Sequence, residues 1–232
     1  MKKTLVIVLA VVLLLLAGCS SSKQSQDSAA SQDPAISDPE QKSIEAVDGY
    51  YATTPTKLPM KIQTPIAWAH CDPEDEDSEL IAGYLAEGRI SYDLLDRIKN
   101  NPMIVFFDTA NTTDTFISSI NVIGFDAEGL TLSDFQKSEA DMSEGYKKRY
   151  IDASMEDFEW IVEPKGKTLG NNYYFVMVFS FTNSGYAFAD CQAMTIYKGQ
   201  NYMFTYTLPQ NSYQNEMLTE FEKVLSTVEF TA

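Results

Sequence analysis

Residues 67–79 read AWAHCDPEDEDSE and set the chain's single histidine, His70, beside Cys71 and a run of carboxylates, Asp72, Glu74, Asp75, Glu76 and Asp77. Three chemistries use such residues. Calcium takes six to eight oxygens, and its helix–loop–helix site needs glycine at the sixth position and glutamate at the twelfth. Counted from Asp72, the third and fifth positions are Glu74 and Glu76, but the sixth is Asp77 and the twelfth Gly83. Stretch 72–79 is therefore either an irregular divalent-cation site or a solvated acidic approach to a helix, capped by Asp77 or Ser78. Zinc needs four ligands, and His70 and Cys71 could begin such a set with Cys191 and a carboxylate. Neighbours on a strand face opposite ways, however, so those two converge only where the strand has already ended. The third chemistry is thiol pairing, and it depends on where the chain resides.

The N-terminus addresses residence. MKKTLVIVLAVVLLLLAGC has a basic start at Lys2 and Lys3 and then a 13-residue apolar run from Thr4 to Leu16. A bilayer span takes about 20 residues, so this is the shape of a secretory signal. Its end, Leu16-Ala17-Gly18-Cys19, resembles a bacterial lipobox. That resemblance implies cleavage after residue 18 and a diacylglycerol on Cys19, with small residues letting the backbone enter the peptidase. The expected organisation is a signal peptide over 1–18, a lipidated flexible segment over 19–50, and a globular domain over 51–232. Residues 20–47 are rich in Ser, Gln, Asp and Ala, with no aromatic and little aliphatic content, and would reach roughly 30 Å as a coil. Two exported cysteines remain. A Cys71–Cys191 disulfide suits that compartment and would contribute roughly 4–5 kcal/mol by closing so long a loop. The alternative is that both are small buried apolar side chains, Cys191 in a row with Ala187, Ala189 and Ala193.

Other chemistries find little support. Losing Lys2 and Lys3 takes the net charge from −16 to −18, which disfavours nucleic acid as a partner. No Gly-x-Ser-x-Gly elbow accompanies the lone histidine. Gly166-Lys167-Thr168 has the tail of a phosphate loop, but Ile161 stands where its first glycine belongs, and the region reads as a turn between strands. No catalytic residue and no cofactor is expected.

The elements around these residues are clearest in the C-terminal third. Segments 173–181, 186–197 and 202–208 alternate aromatic and β-branched residues between turn-forming 182–185 and 198–201, an antiparallel meander. Phe175, Met177 and Phe179 occupy one face of the first strand and Tyr174, Val176 and Val178 the other. A strand apolar on both faces has layers above and below it. Helices are expected over 79–87 (ended by Gly88), 92–100 (capped by Ser91), 132–150, and 213–226 (capped by Asn211 or Ser212). Further strands are expected over 65–69, 103–107, 116–125 and 157–163. Together they give an α+β fold, an α/β/α sandwich around a mostly antiparallel β-sheet.

Pro65 and Trp68, the segment MIVFFDTANTTDTFISSINVI, a long middle helix, a meander ending YMFTYTL and a closing FEKVLSTVEF are similar to the PsbP-like superfamily, over roughly residues 55–231. That group includes an extrinsic subunit of the oxygen-evolving photosystem, Ran-binding Mog proteins and many bacterial lipoproteins. The resemblance implies a binding, assembly or chaperone-like role without catalysis. The resulting expectation is a bacterial lipoprotein held to the membrane through Cys19, facing outside the cytoplasm and binding an envelope protein. The alternative is a small-ligand or divalent-cation binding lipoprotein that uses the acidic stretch 72–79.

Overall fold

The computed structural model describes residues 43–72, 78–113, 116–127, 129–137, 139–152, 155–183 and 185–231. In chain order these form β1 (Tyr50–Thr53), β2 (Met60–Pro65), β3 (Ala69–Cys71), α1 (Ser78–Ala86), α2 (Tyr92–Asn100), β4 (Met103–Thr112), β5 (Ile117–Asp126), α3 (Leu132–Lys137) and α4 (Glu139–Asp152). Then follow β6 (Glu156–Leu169), β7 (Asn172–Asn183), β8 (Tyr186–Tyr197), β9 (Gln200–Pro209), α5 (Asn215–Ser226) and β10 (Glu229–Phe230).

The large sheet has seven strands in the order β3-β4-β5-β9-β8-β7-β6, and every pair is antiparallel. Its meander turns on local chemistry. Tyr197 pairs with Gln200, which leaves Lys198 and Gly199 as a two-residue loop, both at positive φ. That is the geometry whose twist matches the flanking strands. At the β6–β7 hairpin, Gly170 brings its backbone so close to the end of α5 that an added Cβ would lie 2.2 Å from the Ser226 carbonyl oxygen.

The two faces of β7 divide as its alternation requires. Phe175, Met177 and Phe179 join a core with residues of α1 to α4, among them Tyr84, Leu94, Ile98, Phe135 and Tyr150. Tyr174, Val176 and Val178 join a second core with Phe221, Val224 and Leu225 of α5. The second outer layer is mixed, because a small antiparallel sheet, β1-β2-β10, adds Met60, Ile62 and Phe230 to it. Thr227 ties the end of α5 to this small sheet, its hydroxyl accepting from the Gln63 amide at 2.9 Å.

Several expectations change. The strand expected over 65–69 is a turn, with the Trp68 amide donating to the Pro65 carbonyl, and pairing resumes only at Ala69. The helix expected over 132–150 is two, α3 and α4. Gly166-Lys167-Thr168 is no turn: it continues β6 opposite Tyr173 to Phe175. Asn211 and Ser212 lie in a 3-10 turn, and Gln214 precedes α5 without a side-chain cap bond. Ser91 does cap α2, accepting from the Leu94 amide at 3.1 Å, and Gly88 closes α1 at positive φ. Within the stretch read as a flexible segment, the Val47 amide donates to Gln63 Oε1 and Gln63 Nε2 donates to the Glu45 carbonyl.

Both edges of the large sheet are irregular or short. β3 has three residues. β6 is long, but its register against β7 shifts in three places, Asp157 has positive φ, and Pro164 offers no amide hydrogen.

Candidate functional site

Among the described residues, those singled out by type do not gather into one site. Leu16, Ala17, Gly18 and Cys19 lie outside the described residues, as do Glu74, Asp75, Glu76 and Asp77. Asp72 is described and buried, and it points inward: its carboxylate accepts from the amide and the hydroxyl of Thr56. Among the described residues no three His, Cys, Asp or Glu side chains are grouped as a metal set.

Cys71 and Cys191 are both buried, and no bond joins them. Cys71 belongs to the core beneath α1 to α4, Cys191 to the core beneath α5, and β4, β5 and β9 separate their strands. Three intervening strands at about 4.8 Å spacing put the pair far beyond disulfide reach. Of the two readings, the structure has the second: two separate small side chains in two cores rather than a bridge. Burial pushes the Cys191 thiol pKa up, which keeps it protonated. His70, on the opposite face from Cys71, packs its ring against Phe106 at 6.4 Å.

What the fold does assemble is a block of polar side chains on the three central strands, beneath α1 to α4. Ser119 pairs with Thr207, which pairs with Asp190. Two residues along, Asn121 pairs with Thr205, which pairs with Gln192. These two rows run across β5, β9 and β8, and all six side chains are at most 6 % exposed. Apolar residues close the rows at either end: Phe107 and Val105 on β4, Phe179 and Met177 on β7. Tyr150 of α4 reaches down and donates its hydroxyl to Gln192 Oε1. Gln192 Nε2 donates to Thr205 Oγ1 at 3.1 Å, and Asn121 Nδ2 to the Thr205 carbonyl at 3.3 Å.

Electrostatically the block is one-sided. Burial pushes the Asp190 pKa up to about 7, and only the hydrogen bond from Thr207 works against it. Two acceptors in the rows, Asn121 Oδ1 and Asp190 Oδ1, are buried without a hydrogen bond. Leaving such a group unmet costs about 1–3 kcal/mol.

The opposite face carries its polar groups differently. Asp108, midway along β4 where its bulge begins, accepts from the Tyr206 hydroxyl, the Ala110 and Asn111 amides and Asn111 Nδ2. Those bonds hold the bulge where β4 loses register with β5, while Trp68 covers the Tyr206 ring at 5.6 Å. Ser118, opposite Asp108 in register, keeps an unbonded hydroxyl, but a neutral rotor leaves no charge uncompensated.

No protein-family model matches the chain, and no curated protein matches it in sequence. Solved structures do. The solution structure of cyanobacterial PsbP (CyanoP) from Synechocystis sp. PCC 6803 superposes on 83 % of this chain and 98 % of its own, with a TM-score of 0.51 at 15 % identity. The fold is PsbP-like. LpqN, involved in cell envelope biogenesis of Mycobacterium tuberculosis, aligns at a TM-score of 0.46 and 11 % identity, over 75 % of this chain and 83 % of its own. The Pseudomonas aeruginosa protein PA94, a putative regulator, aligns at 0.43 and 9 % identity, over 77 % and 94 %. At these identities the likeness speaks for the fold alone. Within this PsbP-like frame, the polar rows carried a sequence signal that type-based reading passed over. Each central strand has two polar residues spaced i and i+2: Ser119 and Asn121, Asp190 and Gln192, Thr205 and Thr207.

Proposed function

We propose that this chain is a lipid-anchored, extracytoplasmic module of the bacterial cell envelope that binds a partner and performs no catalysis of its own. The carrying observation is the N-terminal order of basic residues, short apolar run and Leu16-Ala17-Gly18-Cys19. Diacylation of Cys19 gives stable membrane residence, since two acyl chains are enough. The PsbP-like domain supports the non-catalytic part: its titratable core groups are spread over two faces of a sheet rather than paired as nucleophile and base. A strongly acidic surface suits an envelope protein partner with a complementary charge and repels nucleic acid. The alternative use of 72–79 as a cation site loses Asp72, whose oxygens serve Thr56.

Metabolic labelling with a radioactive fatty acid in a bacterial host tests the anchor. The native chain is expected to take up label and sediment with membranes, and Cys19→Ser to lose both. Equal labelling of the two overturns the reading.

A further inference from the structure

We infer that one end of the large sheet is a docking surface for the lipid bilayer, an uncharged aromatic rim that rests on the headgroup layer. The inference rests on the lipid anchor proposed above and deepens it, by saying which way the anchored domain faces.

The strand registers bring four connections to this end. Ala69 pairs with Phe107, so the turn 66–68 stands level with Thr109, whose hydroxyl donates to the Ala67 carbonyl. Thr112 pairs with Ile117 at the β4–β5 connection, Asn183 with Tyr186 at the β7–β8 hairpin, and Phe188 with Pro209 ahead of α5. Among the described residues of 66–68, 109–116, 182–187 and 209–214 none is charged, and Asp114 lies outside the described residues. The opposite end of the same strands carries Asp126 and Lys198, both exposed. In a chain of net charge −16, this neutral end has little charge to desolvate on meeting a surface.

It also exposes apolar side chains. Ile66 is 68 % exposed, Tyr51 59 % and Tyr186 45 %. The Ile66 amide donates to the Gly49 carbonyl at 3.0 Å, which sets Ile66 one step from the Tyr51–Thr64 pair. Trp68 follows, half-buried against Tyr206, and Phe116 is half-buried against Phe188. Tyrosine and tryptophan, apolar bodies with one polar tip, concentrate at the membrane–water boundary. Thr, Asn, Gln and Ser fill much of the remaining rim and can exchange water for headgroup oxygens.

The entry point of the chain selects the bilayer as occupant. Gly49 lies on the rim beside Ile66, and the segment leading back to Cys19 joins the domain there. A segment reaching roughly 30 Å keeps the rim at high effective concentration over the lipid, so a few shallow apolar contacts suffice. Carboxylates border the rim: Glu45 and Asp48 on the entering chain, Glu156 and Asp157 at the start of β6. They favour zwitterionic over anionic headgroups. The strands then rise from the membrane, and the acidic remainder of the surface is left to the envelope partner.

The test is tryptophan fluorescence of the full lipidated chain in phosphatidylcholine vesicles, with lipid brominated near the headgroup as the quencher. Trp160→Phe leaves Trp68 on the rim. Trp68→Phe leaves Trp160, which pairs with Phe179, roughly 13 Å up the strand from Asn183. Strong quenching is expected for Trp68 and little for Trp160, with cooperative melting of both variants as the control. Ile66→Asp and Tyr186→Asp, at exposed positions, are each expected to cut Trp68 quenching roughly twofold or more, while sedimentation with the vesicles stays complete. Phosphatidylglycerol in the vesicles is expected to lower the quenching too. Trp68 unquenched in a chain that sediments, equal quenching of Trp160, or quenching that Ile66→Asp leaves intact overturns the inference and leaves the rim to a protein partner. A native chain that does not sediment overturns the anchor as well, so the two failures are told apart.

Discussion

Val178 and Asp190 sit one strand and one residue apart, yet they face opposite ways and live in different chemistry. Val178 pairs with Cys191 under α5, in a layer of aliphatic and aromatic side chains. Asp190, the residue before Cys191, turns into the layer under α1 to α4 and keeps an unbonded oxygen there. On the α5 side the buried carboxylate is Asp108, placed at a bulge with donors on both oxygens. On the other side the carboxylate is central and incompletely met. The contrast teaches that one sheet can serve two purposes: one face closes the fold, and the other bears a stability cost that closure alone does not explain.

The largest test of that contrast is to put a carboxylate on the closed face. Val178→Asp places an unpaired charge where the native residue is fully buried, and a loss of more than about 5 kcal/mol, or failure to fold, is expected. Urea unfolding of the variant measures it, and a loss near 1 kcal/mol would mean the two faces are equally tolerant.

The reverse change on the other face is expected to stabilise. The folded-state pKa of Asp190 is raised from 3.8 to about 7, so between those values the native state holds the proton more firmly than the unfolded chain. Its contribution favours folding below about pH 4 and is lost as pH rises through 7. Asp190→Asn removes this penalty, a gain on the order of 4 kcal/mol at pH 8 that vanishes near pH 4. Melting curves across that range read it directly. A difference independent of pH would show Asp190 to be solvated.

A smaller effect belongs to the link between helix and rows. Tyr150→Phe keeps the ring among Phe158 and Phe179 but removes the donor to Gln192. A loss of about 1–2 kcal/mol is expected in urea unfolding. No loss at all would mean that α4 covers the rows without holding them.

Much of this arrangement is readable before folding, and the reasons are local. Alternation places Phe175 and Val176 on opposite faces of one strand, and the two cores obey it. Ser91 three residues before Leu94 is a cap wherever that helix lies. Pro65 misleads because the alternation continues through it while the chain turns, so Trp68 belongs to a turn rather than a strand. The polar rows were hidden for a different reason. Alternation within Asp190–Gln192 or Ser119–Asn121 tells which side a residue takes relative to its own strand. It does not tell that β9 lies between β5 and β8, and only that order makes six scattered residues one surface. The choice between a Cys71–Cys191 bridge and two separate buried thiols stayed open in the sequence for want of the same information.

The irregular edges of the large sheet have a consequence for crowding. At high local concentration a molecule meets its own copies often and in many orientations. An open, regular edge would then let neighbouring copies join strands into a continuous ribbon. β3 is too short to template such a junction, and the bulges and Pro164 of β6 break the ladder a second copy would need. Many copies can therefore crowd together as separate molecules instead of joining into a fibre.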